Sequence, residues 1–457
     1  MSNFSYPNIT ASRELAERAS GLIPAYTQTL AKGPTQHVQG VAPIYAQSGK
    51  GAHLIDVDGN RYLDYTMAIG PLILGYGHDV VDAAIERQLR DGITFSLMHP
   101  LEVEVAELVR SVVPNVESVR YSKTGCDVTT AAVRLARAFT GRDTVLCCGY
   151  HGWHDWYIGT TDRDAGILSS CKDQTYTFNY NDVESVLEAI DDNIAAIILE
   201  PMVFDEPRNG FLNELRSICD ERGIVLIFDE MWTGFRIALG GAQERYGVRA
   251  DLACFSKAVA NGMPLSILAG RSDIMKLCEH DVFFFTTFGG EALSLAAAKA
   301  TIQFLRDNDV PQRIEALGDQ LRDGLNARLS DLGVSYVTCK GLGTRTIVSF
   351  DGSVANPLLM KSYVQQELIA RGILWGGFHN MSDAHTIEDV QYTLGAYNEV
   401  LYLLDAAVRW SQSFAARGTS IRNLVACGLP YDFRTDEPRW ARSRGNGRCR
   451  PAWTEAL

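Results

Sequence analysis

Four short runs of uninterrupted apolar residues follow one another through the middle of the chain. They are Thr144-Val145-Leu146-Cys147-Cys148, Ile194-Ala195-Ala196-Ile197-Ile198-Leu199, Ile224-Val225-Leu226-Ile227-Phe228 and Leu252-Ala253-Cys254-Phe255. A strand with one wet face alternates polar and apolar residues, whereas a strand covered on both faces reads as a continuous apolar run. Helix-period segments separate the four runs, so the spacing predicts an α/β domain built on a mainly parallel sheet with helices on both faces. In such sheets the chemistry gathers at the carboxyl ends of the strands, which directs attention to the residues that close each run.

At 457 residues the chain exceeds one ordinary core, and a smaller companion domain is expected. The expected division is an N-terminal segment over 1–70 belonging to the small domain, a large domain over 71–335, the rest of the small domain over 336–417, and a tail or cap over 418–457. Ala52 to Asp64 reads as two strands joined by the Asp58-Gly59 turn, Arg313 to Leu332 has helical spacing, and Thr344 to Phe350 and Gly372 to Trp375 read as strands. The arginine-rich tail departs from this pattern.

Lysine and arginine number 42 against 55 aspartates and glutamates, a net charge of −13, which disfavours nucleic acid or an anionic membrane as partner. The opening residues Met1 to Tyr6 lack a secretory pattern and no stretch has the length of a membrane span, so a cytoplasmic protein is expected. Ten scattered cysteines without a C-x-x-C pair indicate neither a disulfide framework nor a metal site.

The strand ends carry the chemistry. Asp229 closes the third run, and Lys257 stands just past the fourth, before Gly262-Met263-Pro264. A partly buried lysine is nucleophilic at neutral pH and forms a Schiff base with an aldehyde. A carboxylate beside it suits the pyridine nitrogen of pyridoxal 5'-phosphate. Each residue alone has other readings: a strand-end acid also serves as a metal ligand or a helix cap, and most lysines are solvated. Thr124-Gly125-Cys126-Asp127 opens an amphipathic helix that ends at Gly141, an arrangement suited to a phosphate and equally to an ordinary N-cap. Tyr150-His151-Gly152 follows the first run; Tyr150 either stacks on a planar ligand or joins the core.

Over residues 40 to 410 the chain resembles the class III aminotransferases of the fold-type I pyridoxal phosphate enzymes. The resemblance rests on Asp56 to Asp64, Tyr150-His151-Gly152, Glu200-Pro201, Asp229-Glu230 with Thr233-Gly234-Phe235-Arg236, and Ser256-Lys257 with Gly262-Met263-Pro264. Gly70 to Gly75 and Arg134 to Asp143 look most like the glutamate-1-semialdehyde aminomutase branch. The fold implied is a mainly parallel seven-stranded sheet sandwiched by helices, with a smaller α+β domain. The resemblance makes Lys257 the Schiff-base lysine, Asp229 the partner of the pyridine nitrogen and Tyr150 the stacking aromatic. It has Gly125 and Cys126 hold the phosphate through their backbones and sets His151, Met231 and Trp232 beside the cofactor. Thr287 matches a threonine that reaches the phosphate from the neighbouring subunit, which implies a homodimer with shared active sites.

Three departures bear on the substrate. Trp232 stands where many relatives have glutamine, Met231 replaces a valine, and Met202 to Arg208 replaces a glycine-rich stretch beside the substrate. Cys148 to Tyr157 and Phe288 to Leu293 look like enzymes that aminate sugar-derived carbonyls. The reaction implied is transfer of an amino group from an amino acid donor, glutamate or alanine, to an aldehyde or ketone of a sugar-like or aminoglycoside metabolite. Trp153 would wall the pocket, Asp205 and Glu206 would meet a cationic acceptor, and Arg345 would bind a carboxylate. The same residues also serve an aminomutase, isomerase or epimerase, in which donor and acceptor are one molecule.

Overall fold

The computed structural model describes residues 5–415, and the expected tail or cap over 418–457 lies outside them. The strands, in chain order, are β1 (Ala46–Lys50), β2 (His53–Asp56), β3 (Arg61–Asp64), β4 (Ser118–Ser122), β5 (Thr144–Cys148), β6 (Thr175–Thr177), β7 (Ile194–Leu199), β8 (Val225–Glu230), β9 (Leu252–Phe255), β10 (Ser266–Gly270), β11 (Val337–Leu342), β12 (Arg345–Phe350), β13 (Ile373–Leu374) and β14 (Phe378–Asn380). The described chain falls into two compact units, residues 70–313 and residues 5–69 with 314–415.

The unit over 70–313 holds a seven-stranded sheet in the order β4-β10-β9-β8-β7-β5-β6. Pairing is parallel from β9 through β8, β7 and β5 to β6, and β10 runs against its neighbours β9 and β4. The four apolar runs are the central strands β5, β7, β8 and β9. Their alternate residues feed two cores, one with Val145, Cys147, Ala196, Ile198, Val225 and Ile227 against the helix Gly125–Thr140, the other with Leu146, Ile197, Leu199, Leu226 and Phe228 against the helix Phe211–Arg222. Burial on both faces is why those strands could not alternate in sequence. The edge strand β4 is only partly buried, which explains why Ser118-Val119-Arg120-Tyr121-Ser122 gave no such signal.

The helix Gly125–Thr140 buries Val128, Ala131, Ala132, Leu135 and Ala136 and ends at Gly141, whose φ of 68° is the left-handed conformation that glycine adopts without a Cβ penalty. Phe139, in register with that stripe, is exposed instead, with the Arg271 guanidinium 5.4 Å from its ring centre.

In the other unit β2 and β3 form the hairpin expected around Asp58-Gly59, with Gly59 at φ 84° and the Asp56 carboxylate accepting from the backbone N–H groups of Asp58 and Asn60. Sheet order there is β1-β2-β3-β13, and β11, β12 and β14 make a separate three-stranded antiparallel sheet. Gly372 to Trp375 supplies only the short β13, paired parallel with β3. The helix Val310–Leu332 is held to β11 by Asn326, which donates to Cys339 O at 2.8 Å and accepts from Cys339 N at 2.9 Å. Among the described residues no helix is long and apolar enough to cross a membrane.

Candidate active site

The sheet register brings five strand ends to one edge. Cys148 pairs with Leu199, Leu199 with Phe228, and Glu230 with Phe255. Past those positions the chain continues into Gly149-Tyr150-His151 after β5, Glu200 after β7 and Ser256-Lys257 after β9, while Asp229 is the next-to-last residue of β8. β4 leads through Lys123 and Thr124 into the helix that begins at Gly125. Residues separated by more than a hundred positions thus face the same rim.

Alternation along β8 divides its two acids. Asp229, 2% exposed, accepts from Met231 N on one oxygen at 3.1 Å, and its other oxygen is 2.8 Å from His151 Nδ1. Glu230 faces away and receives Thr233 Oγ1 at 2.6 Å, Ala242 N at 2.7 Å and Gln243 N at 3.3 Å at the start of the helix Gly241–Tyr246. Burial pushes its carboxyl up to about 7 despite those donors. The adjacent acids are one candidate functional group and one structural cap.

His151 lies between the Trp156 indole, nearly parallel at 6.1 Å, and the Tyr157 ring, edge-on at 5.3 Å. Its buried Nε2 has no hydrogen-bond partner among the described residues. Gly152 has no room for a side chain, since a Cβ there would stand 2.5 Å from Cys126 Sγ. That contact locks the turn after β5 against the first turn of the helix from Gly125. Cys126 is not a reactive thiolate, because burial raises its thiol.

Glu200 joins the site although the sequence assigned it no role. Its Oε1 accepts from Tyr150 N at 2.7 Å, and a Cβ on Gly149, which sits at φ 110°, would come within 2.8 Å of the same oxygen. Burial, and then the charge of Asp229, raise its carboxyl, while Tyr150 N–H, His151 and Lys257 pull the other way. Tyr150 is thereby fixed by its backbone and leaves its ring 50% exposed, edge-on to Tyr157 at 5.7 Å. The strand-end logic applied to Asp229 was equally available for Glu200 after Ile194 to Leu199.

Lys257 occupies φ 51°, an uncommon conformation for a residue with a side chain. A Cβ built on Gly70 would be 3.1 Å from Trp232 Nε1 and 3.7 Å from Lys257 Cδ, so the Trp232 indole and the lysine stem flank the same glycine. Trp232 is buried with the Arg236 guanidinium 5.2 Å from its ring centre, and Arg236 donates to Gly70 O at 2.6 Å. Met231 packs on the helix start, where a Cβ on Gly125 would meet its sulfur at 2.9 Å.

The remaining candidates lie in different settings. Trp153 is 67% exposed and edge-on to His154. Asp205 and Glu206 are not bare acids: Asp205 meets Arg208 at 3.5 Å, and Glu206 meets Arg245 at 3.5 Å and Tyr246 Oη at 3.3 Å. Thr287 is exposed in the segment between Val282 and Gly289. Arg345 belongs to the other unit, where it begins β12 with its guanidinium 5.5 Å from the Phe378 ring centre.

These residues fit pyridoxal phosphate. A buried carboxylate whose identified contacts are a backbone N–H and an imidazole, rather than an arginine or lysine, suits a protonated ring nitrogen. The helix start at Gly125 offers N–H groups without intrahelical acceptors to a phosphate. No group of three or more metal-ligating side chains forms among the described residues.

The fold and this rim define a pyridoxal phosphate enzyme of fold type I. The class III aminotransferase family matches residues 35–393, and the chain belongs to it. It is 38% identical over 357 residues to a glutamate-1-semialdehyde 2,1-aminomutase of Chlorobium phaeobacteroides, covering 72% of this chain and 81% of that one. Against a 3-aminobutyryl-CoA aminotransferase of Cloacimonas acidaminovorans the identity is 33% over 408 residues, covering 86% and 97%. Among solved structures, the pyridoxal phosphate form of the FumI protein of Sphingopyxis sp. MTA144 superposes with a TM-score of 0.81 at 30% identity, covering 88% of this chain and 97% of that one.

Proposed function

We propose that this aminotransferase moves an amino group from an amino acid donor, glutamate or alanine, to an aldehyde or ketone of a sugar-like metabolite. The observation that carries the catalytic part is the delivery of buried Asp229 and of Lys257 by neighbouring parallel strands to one rim. The cofactor supplies an aldehyde that condenses with amines and a ring that accepts electrons. Lys257 would hold that aldehyde, and its amine, when free, would move the proton at the substrate carbon. Asp229, oriented by His151, would keep the ring nitrogen protonated. Tyr150 would cover one ring face, Met231 would pack beside it, and the Trp232 indole N–H would serve the phenolic oxygen. Gly125 and Cys126 would bind the phosphate through their backbones.

The exposed face of Trp153 supports a sugar-like acceptor, since a flat aromatic face suits the C–H face of a pyranose. Asp205 and Glu206 give a polycationic aminoglycoside less support, because each already meets an arginine.

A homodimer is part of this reading. Phe283, Phe285 and Phe288 flank Thr287 on the surface, and Leu97 and Met98 are exposed on the segment after Ile93, whose carbonyl accepts from Ala292 N. Large apolar side chains gathered this way suit a subunit interface, with Thr287 given to the partner's phosphate.

The aminomutase reading is favoured by relatives bearing that name at 38% identity. Offering single compounds and donor–acceptor pairs to the protein, while following the absorption of the cofactor's aldehyde and amine forms, separates the two. Transamination predicts that a donor alone leaves the amine form and that a sugar carbonyl restores the aldehyde form. Turnover of one compound with no second substrate would instead establish a mutase.

A further inference from the structure

Resting on the phosphate-binding reading above, we infer that the Lys123–Glu291 ion pair is a positioning brace that fixes the Gly125 cradle, the chain after Lys257 and the Thr287 segment as one piece. Lys123 separates β4 from the helix that starts at Gly125. Its ammonium donates to Glu291 Oε1 at 2.7 Å and to Pro264 O at 3.1 Å, and both side chains are largely buried. Pro264 closes the turn that follows Lys257, and Glu291 closes the segment that carries Thr287. One ammonium therefore ties three loops, each bearing a residue assigned to the cofactor.

Glu291 is itself anchored. It caps the helix Ala292–Asp307 by accepting from Leu293 N at 2.8 Å and Ser294 N at 3.1 Å. A second tie joins the cradle to β10, with Ser266 Oγ donating to Thr124 O at 2.8 Å. The segment before Glu291 is gripped by the strand and helix on either side of Lys123: Arg120 donates to Phe284 O at 2.6 Å and Arg134 to Phe283 O at 3.1 Å. Gly289 runs so close to β4 that a Cβ there would stand 2.7 Å from Tyr121 O. An exposed segment with such fixed ends presents Thr287 in one place rather than many.

The ion pair touches neither the ring nor the aldehyde in this assignment, and two of the three loops it ties serve a phosphate, so its larger effect falls there. Binding of pyridoxal 5'-phosphate and of pyridoxal, which lacks the phosphate, separates a brace for the cradle from general support of the fold. Glu291→Gln discards the charge and keeps an acceptor oxygen for one of the two cap N–H groups; Lys123→Met discards the ammonium. Titrating cofactor-free protein with each compound, either variant should bind pyridoxal phosphate about tenfold more weakly, the scale seen when outer-shell partners of a bound metal are removed. Pyridoxal affinity should fall far less, through the Pro264 tie alone. The double variant should be no worse than the more affected single one, and Lys123→Arg should retain most of the affinity. Should Lys123→Met fail to fold, Glu291→Gln and Lys123→Arg still decide. Unchanged pyridoxal phosphate affinity in Glu291→Gln, or equal weakening towards both compounds, overturns the brace. Wild-type protein that binds the two compounds alike overturns the phosphate cradle and the brace together.

Discussion

Gly149→Ala is the sharpest small change the site offers. The residue sits at φ 110°, outside the conformations that alanine adopts freely, and the new methyl would lie 2.8 Å from Glu200 Oε1 and 3.0 Å from its Cγ. Forcing a side chain into such a backbone region costs about 1–3 kcal/mol. Driving Glu200 away also breaks the hydrogen bond from Tyr150 N, worth about 1.5–3 kcal/mol for a bond to a charged group. The expected loss of folding stability is about 4 kcal/mol, the sum of these two costs. In a Glu200→Ala background the oxygen is gone and only the backbone strain remains, so the same substitution should cost about 2 kcal/mol less. Urea unfolding of the four cofactor-free proteins, followed by circular dichroism, measures this cycle. Titration with pyridoxal phosphate should show weaker binding in Gly149→Ala, because Tyr150 loses its anchor. A cost below about 1 kcal/mol, or one identical in both backgrounds, would refute the account of how Tyr150 is positioned.

Three further outcomes are expected. Glu230 has its carboxyl raised from 4.5 to about 7, so the folded state binds that proton more tightly and the associated stability, full below pH 4.5, is lost as pH rises through about 7. The stability difference between Glu230→Gln and wild type should therefore move by about 3 kcal/mol in the variant's favour from pH 4 to pH 8 in urea unfolding, and a pH-independent difference would remove the effect. Trp232→Gln should shift the absorption maximum of the bound cofactor, and an unchanged spectrum would take the indole away from the phenolic oxygen. Phe288→Asp, placing a charge beside Thr287, should give a monomer in sedimentation and poor cofactor retention; a dimer with full cofactor content would contradict the shared site.

Much of the architecture was legible because burial on both faces leaves a direct trace in sequence. β5, β7, β8 and β9 announced themselves as unbroken apolar runs, and the Asp58-Gly59 turn announced the β2–β3 hairpin. β4 stayed silent because an edge strand exposes part of each face, and β10, which runs against its neighbours, had no signature of direction. At the site, the strand ends located Tyr150, Asp229 and Lys257, since chain position alone decides which residue leaves a strand. What no local pattern encodes is which side chains meet across strands. The contact of His151 with Asp229, the hold of Glu200 on Tyr150, and the meeting of Lys123 with Glu291 join positions 78, 50 and 168 apart. The same limit hides the meeting of Glu206 with Arg245, whereas Arg208, three residues from Asp205, was within local reach.

Lys257 is the residue proposed to bind the cofactor's aldehyde. Reducing the cofactor-loaded protein with borohydride fixes that linkage, and peptide mass analysis then reads which lysine carries it. The prediction is a single phosphopyridoxyl group on Lys257, lost in Lys257→Ala; a label on another lysine, or none in wild type, would contradict it.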